Sequence, residues 1–273
     1  MRITTLASGS SGNCTYVGTE RTHLLIDCGI TAKKTDEFLH ELGLCLKDID
    51  AVLLTHEHTD HIKGLKRLMT GSGIKLYSSE GTLRALPRAA RDEYFSYSAR
   101  ELMHSVSADM EYEIGDIKIR PFTISHDAAQ PLGFRLTSGD KSCAVATDLG
   151  YFNDYVRDNI LGADAAVIEA NHDRGMLANG SYPIYLKRRI MSREGHLSNN
   201  NSGLLISELL KYAPSGKDIK HIFLGHLSKE NNTPELALST VREAIDKNQN
   251  ICRADELCIS VAKREGTDRV IEF

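Results

Sequence analysis

Within His56-Glu57-His58-Thr59-Asp60-His61, three imidazoles and two carboxylates crowd into six residues. Neutral imidazole nitrogen and carboxylate oxygen are good ligands for zinc and related divalent ions. His56, His58, Asp60 and His61 converge only if the backbone turns sharply between them. So dense a set of donors suits two metals better than one. The plain alternative is a solvated, histidine-rich surface loop, but a crude product of residue frequencies makes the pattern roughly a one-in-a-thousand accident in such a chain.

More donors of the same kind follow apolar runs elsewhere. Leu25-Ile26 leads into Asp27, Thr123-Ile124-Ser125 into His126, Ala146-Thr147 into Asp148, and Phe223-Leu224-Gly225 into His226. Taken singly each has an ordinary reading: His126 or His226 could be a hydrogen-bonded core histidine, and Asp148 could start a turn. Their shared position after an apolar run is the informative feature.

The elements that must position these residues are legible as short patterns. Strands are expected at 3–6, 15–18, 24–26, 51–54, 74–77, 117–124, 133–137, 143–147, 165–168 and 221–224, from β-rich or buried apolar runs bounded by turn residues. Phe38, Leu39 and Leu42 at helical spacing predict a helix over 31–42 that Gly43 stops. Further helices are expected at 183–191, at 202–212 and from Pro234, which suits a first turn. Residues 257–262 and 269–273 read as a closing hairpin. Strands, helices, strands, helices and final strands imply an α/β (α+β) protein, an αββα sandwich of two mixed sheets with helices on the outer faces. No Pro/Gly/Ser-rich linker divides the chain, so one domain over 1–273 is expected.

Composition sets broader bounds. With 273 residues, 41% of them apolar and 26% charged, disordered and collagen-like classes are excluded. A net charge of −4 neither implies nor excludes nucleic acid, because a polyanion is met by a local patch. No stretch approaches the ~20 apolar residues of a membrane span, and the N-terminus lacks a signal-peptide core, so a cytoplasmic protein without membrane contact is expected. Cys14, Cys28, Cys45, Cys143, Cys252 and Cys258 form no C-x-x-C pair and read as free thiols.

His-x-His-x-Asp-His after a hydrophobic strand resembles the signature of the metallo-β-lactamase superfamily, and Asp27, His126, Asp148 and His226 follow in the family's order. The resemblance implies that His56, His58 and His126 hold one metal, that Asp60, His61 and His226 hold a second, that Asp148 bridges them, and that Asp27 orients the histidine loop. His58 at the middle position separates the chain from flavodiiron relatives, which resemble His-x-Glu-x-Asp-His and use iron for redox work. Ala7-Ser8-Gly9-Ser10-Ser11-Gly12-Asn13, Glu169-Ala170-Asn171-His172-Asp173 and Gly195-His196-Leu197-Ser198-Asn199 are similar to segments of the WalJ/YycJ group of bacterial exonucleases of this fold.

From that group the expected activity is binuclear, metal-dependent phosphodiester hydrolysis, a 5′-to-3′ DNA exonuclease acting on duplex DNA ends. Two divalent ions per chain, zinc or manganese with iron possible, would support in-line attack by a bridging hydroxide. Asp60, His196 and Glu169 are the expected catalytic residues. Ile168 stands where tRNA 3′-processing relatives have the leading His of His-Glu-Ala-Thr, which leaves the role of Glu169 open. Ser8, Ser10, Ser11, Asn13, Asn171 and Ser198 are the expected substrate contacts, by backbone N–H and hydroxyl donors. Basic groups at Lys63, Lys66 and Arg67 and at Lys187, Arg188, Arg189 and Arg193 could track a phosphate backbone, or be solvated helix faces. An RNA nuclease, a small cyclic phosphodiesterase, a thioester or lactone hydrolase and a non-catalytic nucleic-acid-binding scaffold remain alternatives, and oligomeric state stays open.

Overall fold

The computed structural model describes residues 1–215, 217–248 and 257–273. They divide into two compact units, one of Met1–Thr123, Ala128–Asp140 and Lys263–Phe273, the other of Ile124–Asp127 and Lys141–Ala262.

In the first unit, β1 (Arg2–Ala7), β2 (Cys14–Gly18) and β3 (His23–Ile26) form an antiparallel meander joined by short turns. After β3, helical crossovers replace turns, and pairing becomes parallel as such connections require. The helix α1 (Ala32–Glu41) leads to β4 (Ala51–Leu53), α2 (Thr59–Ile62) and α3 (Leu65–Ser72) lead to β5 (Lys75–Ser78), and α4 (Glu80–Ala90) precedes β6 (Met103–Ser105). Thr31 caps α1 by accepting the Lys34 N–H, and Gly43, at φ 75°, follows its end. Strand β4 is wholly buried, and its Val52 joins Leu6, Leu25, Leu39, Leu68 and Leu76 in one apolar core. A ribbon of β7 (Tyr112–Ile114), β8 (Ile117–Thr123) and β9 (Leu132–Ser138) is antiparallel throughout.

The second unit is a parallel sheet in the order β10 (Lys141–Ala146), β11 (Ala165–Glu169), β12 (His221–Gly225) and β13 (Cys258–Val261). Between the strands run α5 (Asp154–Ile160), then α6 (Arg174–Asn179), α7 (Ile184–Ile190) and α8 (Asn199–Tyr212), and finally α9 (Pro234–Asn248). Gly203 lets α8 approach α9 closely, since a Cβ there would sit 2.8 Å from the Val241 carbonyl oxygen. Open parallel sheets gather ligands at the carboxyl ends of their strands. Asp148, Glu169 and His226 stand at those ends of β10, β11 and β12.

The expected closing hairpin does not form. Cys258–Val261 adds parallel to β12, while β14 (Ile271–Glu272) pairs antiparallel with β1. Each strand satisfies the open edge of a different sheet, and that outweighs their nearness in sequence. Cys14, Cys28 and Cys143 are buried free thiols, Cys45 is half-buried and Cys258 exposed, whereas Cys252 lies outside the described residues. Burial pushes the Cys28 thiol up to about 12, which leaves it protonated and unreactive. Among the described residues no helix is long and apolar enough to cross a membrane.

Candidate metal centre

Asp27, Asp148 and His226 each follow a strand and each adopt a left-handed backbone, with φ of 62°, 56° and 55°. A non-glycine residue pays roughly 1–2 kcal/mol for that conformation, and such strain collects where side chains must be aimed.

In the first unit, the histidine loop is stitched down by backbone contacts. The Asn13 N–H donates to the Asp60 carbonyl at 2.8 Å, Cys28 N–H to that of His61 at 2.8 Å, and Gly29 N–H to that of Asn13 at 2.7 Å. Only glycine fits at position 29, because a Cβ would overlap the Asp60 carbonyl oxygen at 1.6 Å. Beneath the loop the Asp27 carboxylate is buried. Its Oδ2 accepts from His61 Nδ1 at 2.7 Å, and Oδ1 accepts the Thr55 N–H at 2.8 Å. The Thr55 hydroxyl lies 2.9 Å from Asp27 Oδ2 and 3.0 Å from His56 Nδ1. A carboxylate only accepts, so the hydroxyl gives its proton to Asp27 and accepts the Nδ1–H of His56. One acid thereby selects the tautomer of two buried imidazoles and makes Nε2 the nitrogen a metal would meet. The ring centroids of His56 and His61 are 4.1 Å apart, and those of His56 and His58 are 4.5 Å apart. Glu57 serves the scaffold, with Oε1 accepting the Ala129 N–H at 2.8 Å.

The second unit repeats the device with other partners. Glu169 is fully buried, and its Oε1 accepts from Nδ1 of both His196 and His226 at 2.8 Å. Its Oε2 accepts the N–H groups of Leu149 at 2.7 Å and Leu197 at 3.1 Å. Burial pushes its pKa upward, but the two imidazoles outweigh that and hold it down at about 2. His126 donates Nδ1–H to the Gly195 carbonyl at 3.1 Å, and its Nε2 lies 3.6 Å from Asp148 Oδ1. Donor atoms of Asp148, Glu169, His196 and His226 all lie within 4.8 Å of one another. Buried imidazoles held by Nδ1 beside a buried carboxylate fit a divalent cation in donor type and orientation.

The expected substrate contacts divide. Ser10 and Ser11 are exposed at a turn tip. Asn171 and Ser198 hold local structure, Asn171 Nδ2 donating to the His226 carbonyl at 2.9 Å and Ser198 capping α8 while accepting from Arg174, whereas the Asn13 amide both closes the loop on Gly9 and reaches the histidine loop, its Nδ2 lying 3.1 Å from His61 Nε2 and 3.3 Å from Asp60 Oδ2. Ser8 is buried, its N–H bonded to the Lys263 carbonyl. Of the basic groups, Lys66 pairs with Asp92 at 2.7 Å, Arg189 with Asp127 at 3.0 Å, and Arg193 lies over the Tyr151 ring at 4.0 Å. Thr55 and the Gly195 carbonyl are the positioning groups that sequence reasoning missed. The place of Thr55 just before the histidine cluster was the available signal, whereas a backbone carbonyl leaves none.

The fold and this donor set define a metal-dependent hydrolase with two mixed sheets and helices, the metallo-β-lactamase fold. Residues 22–212 match the model of the beta-lactamase superfamily domain, and the chain belongs to that family. It is 36% identical to exodeoxyribonuclease YycJ of Bacillus anthracis over 251 residues, 90% of each chain. With exodeoxyribonuclease WalJ of Streptococcus pneumoniae serotype 2 it shares 41% identity over 236 residues, 86% of this chain and 85% of the relative. The crystal structure of the metallo-β-lactamase fold protein YhfI from Bacillus subtilis superposes with a TM-score of 0.72 at 15% identity, covering 100% of this chain and 99% of that one. Within the family the chain is of WalJ/YycJ type.

Proposed function

We propose that this chain is a metal-dependent exodeoxyribonuclease that shortens duplex DNA from a 5′ end, its two units working as one domain over 1–273. In this reading His56, His58 and His126 would hold one divalent ion, Asp60, His61 and His226 would hold another, and Asp148 would serve both. Zinc or manganese suits these ligands, and iron is a third candidate. The observation that carries the reading is that His56 and His61 in the first unit, and His126 and His226 in the second, are each held at Nδ1 by a protein oxygen. The two exodeoxyribonuclease relatives, aligned over most of their length, support DNA as the substrate.

Bound ions supply charge neutralisation on the phosphodiester and lower the pKa of water from ~15.7 toward about 7. The residues do the rest. Asp60 orients the attacking water as well as binding metal. His196, whose Nδ1–H is held by Glu169, turns Nε2 toward the phosphate, and only with hydrogen on both ring nitrogens does it serve as the proton donor to the departing oxygen. Glu169 acts through the two imidazoles it holds and is a positioning residue.

The test is digestion of end-labelled duplex DNA by the metal-loaded protein, beside RNA and bis(p-nitrophenyl) phosphate, with bound metal counted. Stepwise loss of 5′ nucleotides is expected, abolished in a folded His56→Ala/Asp60→Ala double variant. Turnover retained in that variant, or hydrolysis of the small ester alone, overturns the reading.

A further inference from the structure

We propose that a cavity of about 430 Å³ in the first unit, with Asp60 in its wall, is the seat of the substrate's terminal nucleotide. This deepens the nuclease reading and rests on it for the word substrate. The chemical class of the ligand, a nucleoside 5′-monophosphate group, follows from the cavity itself.

Its lining separates into two kinds of surface. Ile62 and Phe95 are buried, and with Ala89 and Ala90 from the end of α4 they make an apolar floor. An apolar floor that includes an aromatic ring, here Phe95, can accept a nucleobase without demanding a particular base. Ser10, Ser11, Thr59 and Lys63 are exposed and form the polar side. None of these four side chains has a hydrogen bond or ion pair among the described residues, so all are open to a ligand's oxygens.

The two lysines of the cavity differ in a way that locates the anion. Lys66 is paired with Asp92 at 2.7 Å, and its charge is already answered. Lys63 carries the unanswered charge. The two serines are also held in place, because the Asn13 side chain accepts the Gly9 N–H at 2.9 Å and returns a bond to the Gly9 carbonyl at 3.1 Å, while Gly12 N–H donates to that same carbonyl at 2.9 Å. Hydroxyls on a closed turn lose little freedom when they bind. A volume in the ordinary range of small-ligand sites, an apolar floor and a rim of one cation with three hydroxyls match base, sugar and phosphate in turn. With Asp60 in the wall, a phosphate at this rim adjoins the histidine loop.

The test uses the metal-loaded full chain with deoxyadenosine 5′-monophosphate and deoxyadenosine as probes, measured by calorimetry, and with Lys63→Gln and Ala90→Leu variants checked for folding by circular dichroism. The monophosphate is expected to bind the wild type and to compete with DNA ends. Lys63→Gln should weaken the monophosphate roughly tenfold and spare deoxyadenosine, whereas Ala90→Leu, which fills the floor, should weaken both. In each variant the ratio of activity on DNA to activity on bis(p-nitrophenyl) phosphate should fall by a similar factor. Lys63 is exposed, so its variant remains informative even if Ala90→Leu misfolds. If the wild type degrades DNA yet binds no monophosphate, or both variants bind it as the wild type does, the cavity assignment is wrong and the nuclease reading stands. If the variants weaken the monophosphate as expected while the wild type cleaves neither DNA nor the small ester, the nuclease reading fails, and with it the cavity's role as a substrate seat, leaving only a site for a nucleoside monophosphate.

Discussion

The Thr55 hydroxyl bridges the buried Asp27 carboxylate at 2.9 Å to Nδ1 of His56 at 3.0 Å. Thr55→Val keeps the volume and shape of the side chain but removes this bridge. The His56 Nδ1–H then loses its acceptor and the ring can take the other tautomer, in which Nε2 carries the proton. Metal affinity is expected to fall about 10–100-fold, the usual effect of losing a partner behind a metal ligand. Loss of the bond from Asp27 should also cost about 1–3 kcal/mol of stability. Metal titration and thermal melts of the metal-free variant measure the two effects separately.

The donor-type side chains at His56 to His61, Asp148 and His226 were legible as residue types that follow apolar runs, and the structure places each of them just after a strand or in the loop that follows one. The strands positioning them announced themselves through buried runs such as Ala51 to Leu54 and Ala165 to Ile168. The fate of the last two strands was not legible. Nothing in residues 257 to 273 tells which sheet edge each strand meets, since pairing partners lie more than thirty positions away for β13 and at the other terminus for β14. The anchoring of Asn171 and Ser198 was hidden for a similar reason. Both side chains could bind phosphate, and only the fold shows that one holds the His226 carbonyl and the other caps a helix.

Arg91 ends α4 in the left-handed region, at φ 51°. Its own N–H closes the helix onto Arg88 and Pro87 carbonyls, so the conformation is set by the cap. Glycine adopts it without the Cβ clash but gives up more freedom on folding. Arg91→Gly should therefore stabilise the protein by a net of about 0.5–1 kcal/mol. A chemical denaturation midpoint that rises with an unchanged slope would bear this out.

Asp116 ties the turn before β8 to the turn before β3. Its Oδ1 accepts the hydroxyls of Thr22 at 2.6 Å and Thr19 at 2.8 Å, and its Oδ2 lies 3.2 Å from Arg21. The Thr22 bond, followed by the opposing effect of burial and then the Thr19 and Arg21 contacts, leaves its carboxyl at about 2, below the ordinary aspartate value of 3.8. A depressed native pKa means that the charged form is favoured by folding. The stabilisation is complete above 3.8 and disappears as pH falls through about 2. Asp116→Asn should cost roughly 1–2 kcal/mol at neutral pH, less than the full shift implies because the pair is partly solvated. The gap between wild-type and variant melting temperatures should close on acidification and be gone below the native pKa; a gap constant with pH would remove the electrostatic explanation.

Glu169→Gln is the sharpest test of how the second unit is built, because the carboxylate meets four donors. His196 and His226 present Nδ1–H to one oxygen, and the backbone N–H groups of Leu149 and Leu197 face the other. An amide has a single acceptor atom and two hydrogens of its own. Turned one way, its nitrogen confronts two backbone donors that cannot move. Turned the other way, it confronts two imidazoles, each of which can relieve the conflict only by shifting its proton to Nε2. The second arrangement is the cheaper, and it converts both Nε2 atoms from acceptors into donors. The variant should therefore stay folded with a loss of about 1–3 kcal/mol, yet bind metal about 10–100-fold more weakly. Nitrogen-15 spectra of the histidine rings in the metal-free protein read the tautomer directly. Rings of His196 and His226 still protonated at Nδ1 in the variant would show that the shared oxygen is not what orients them.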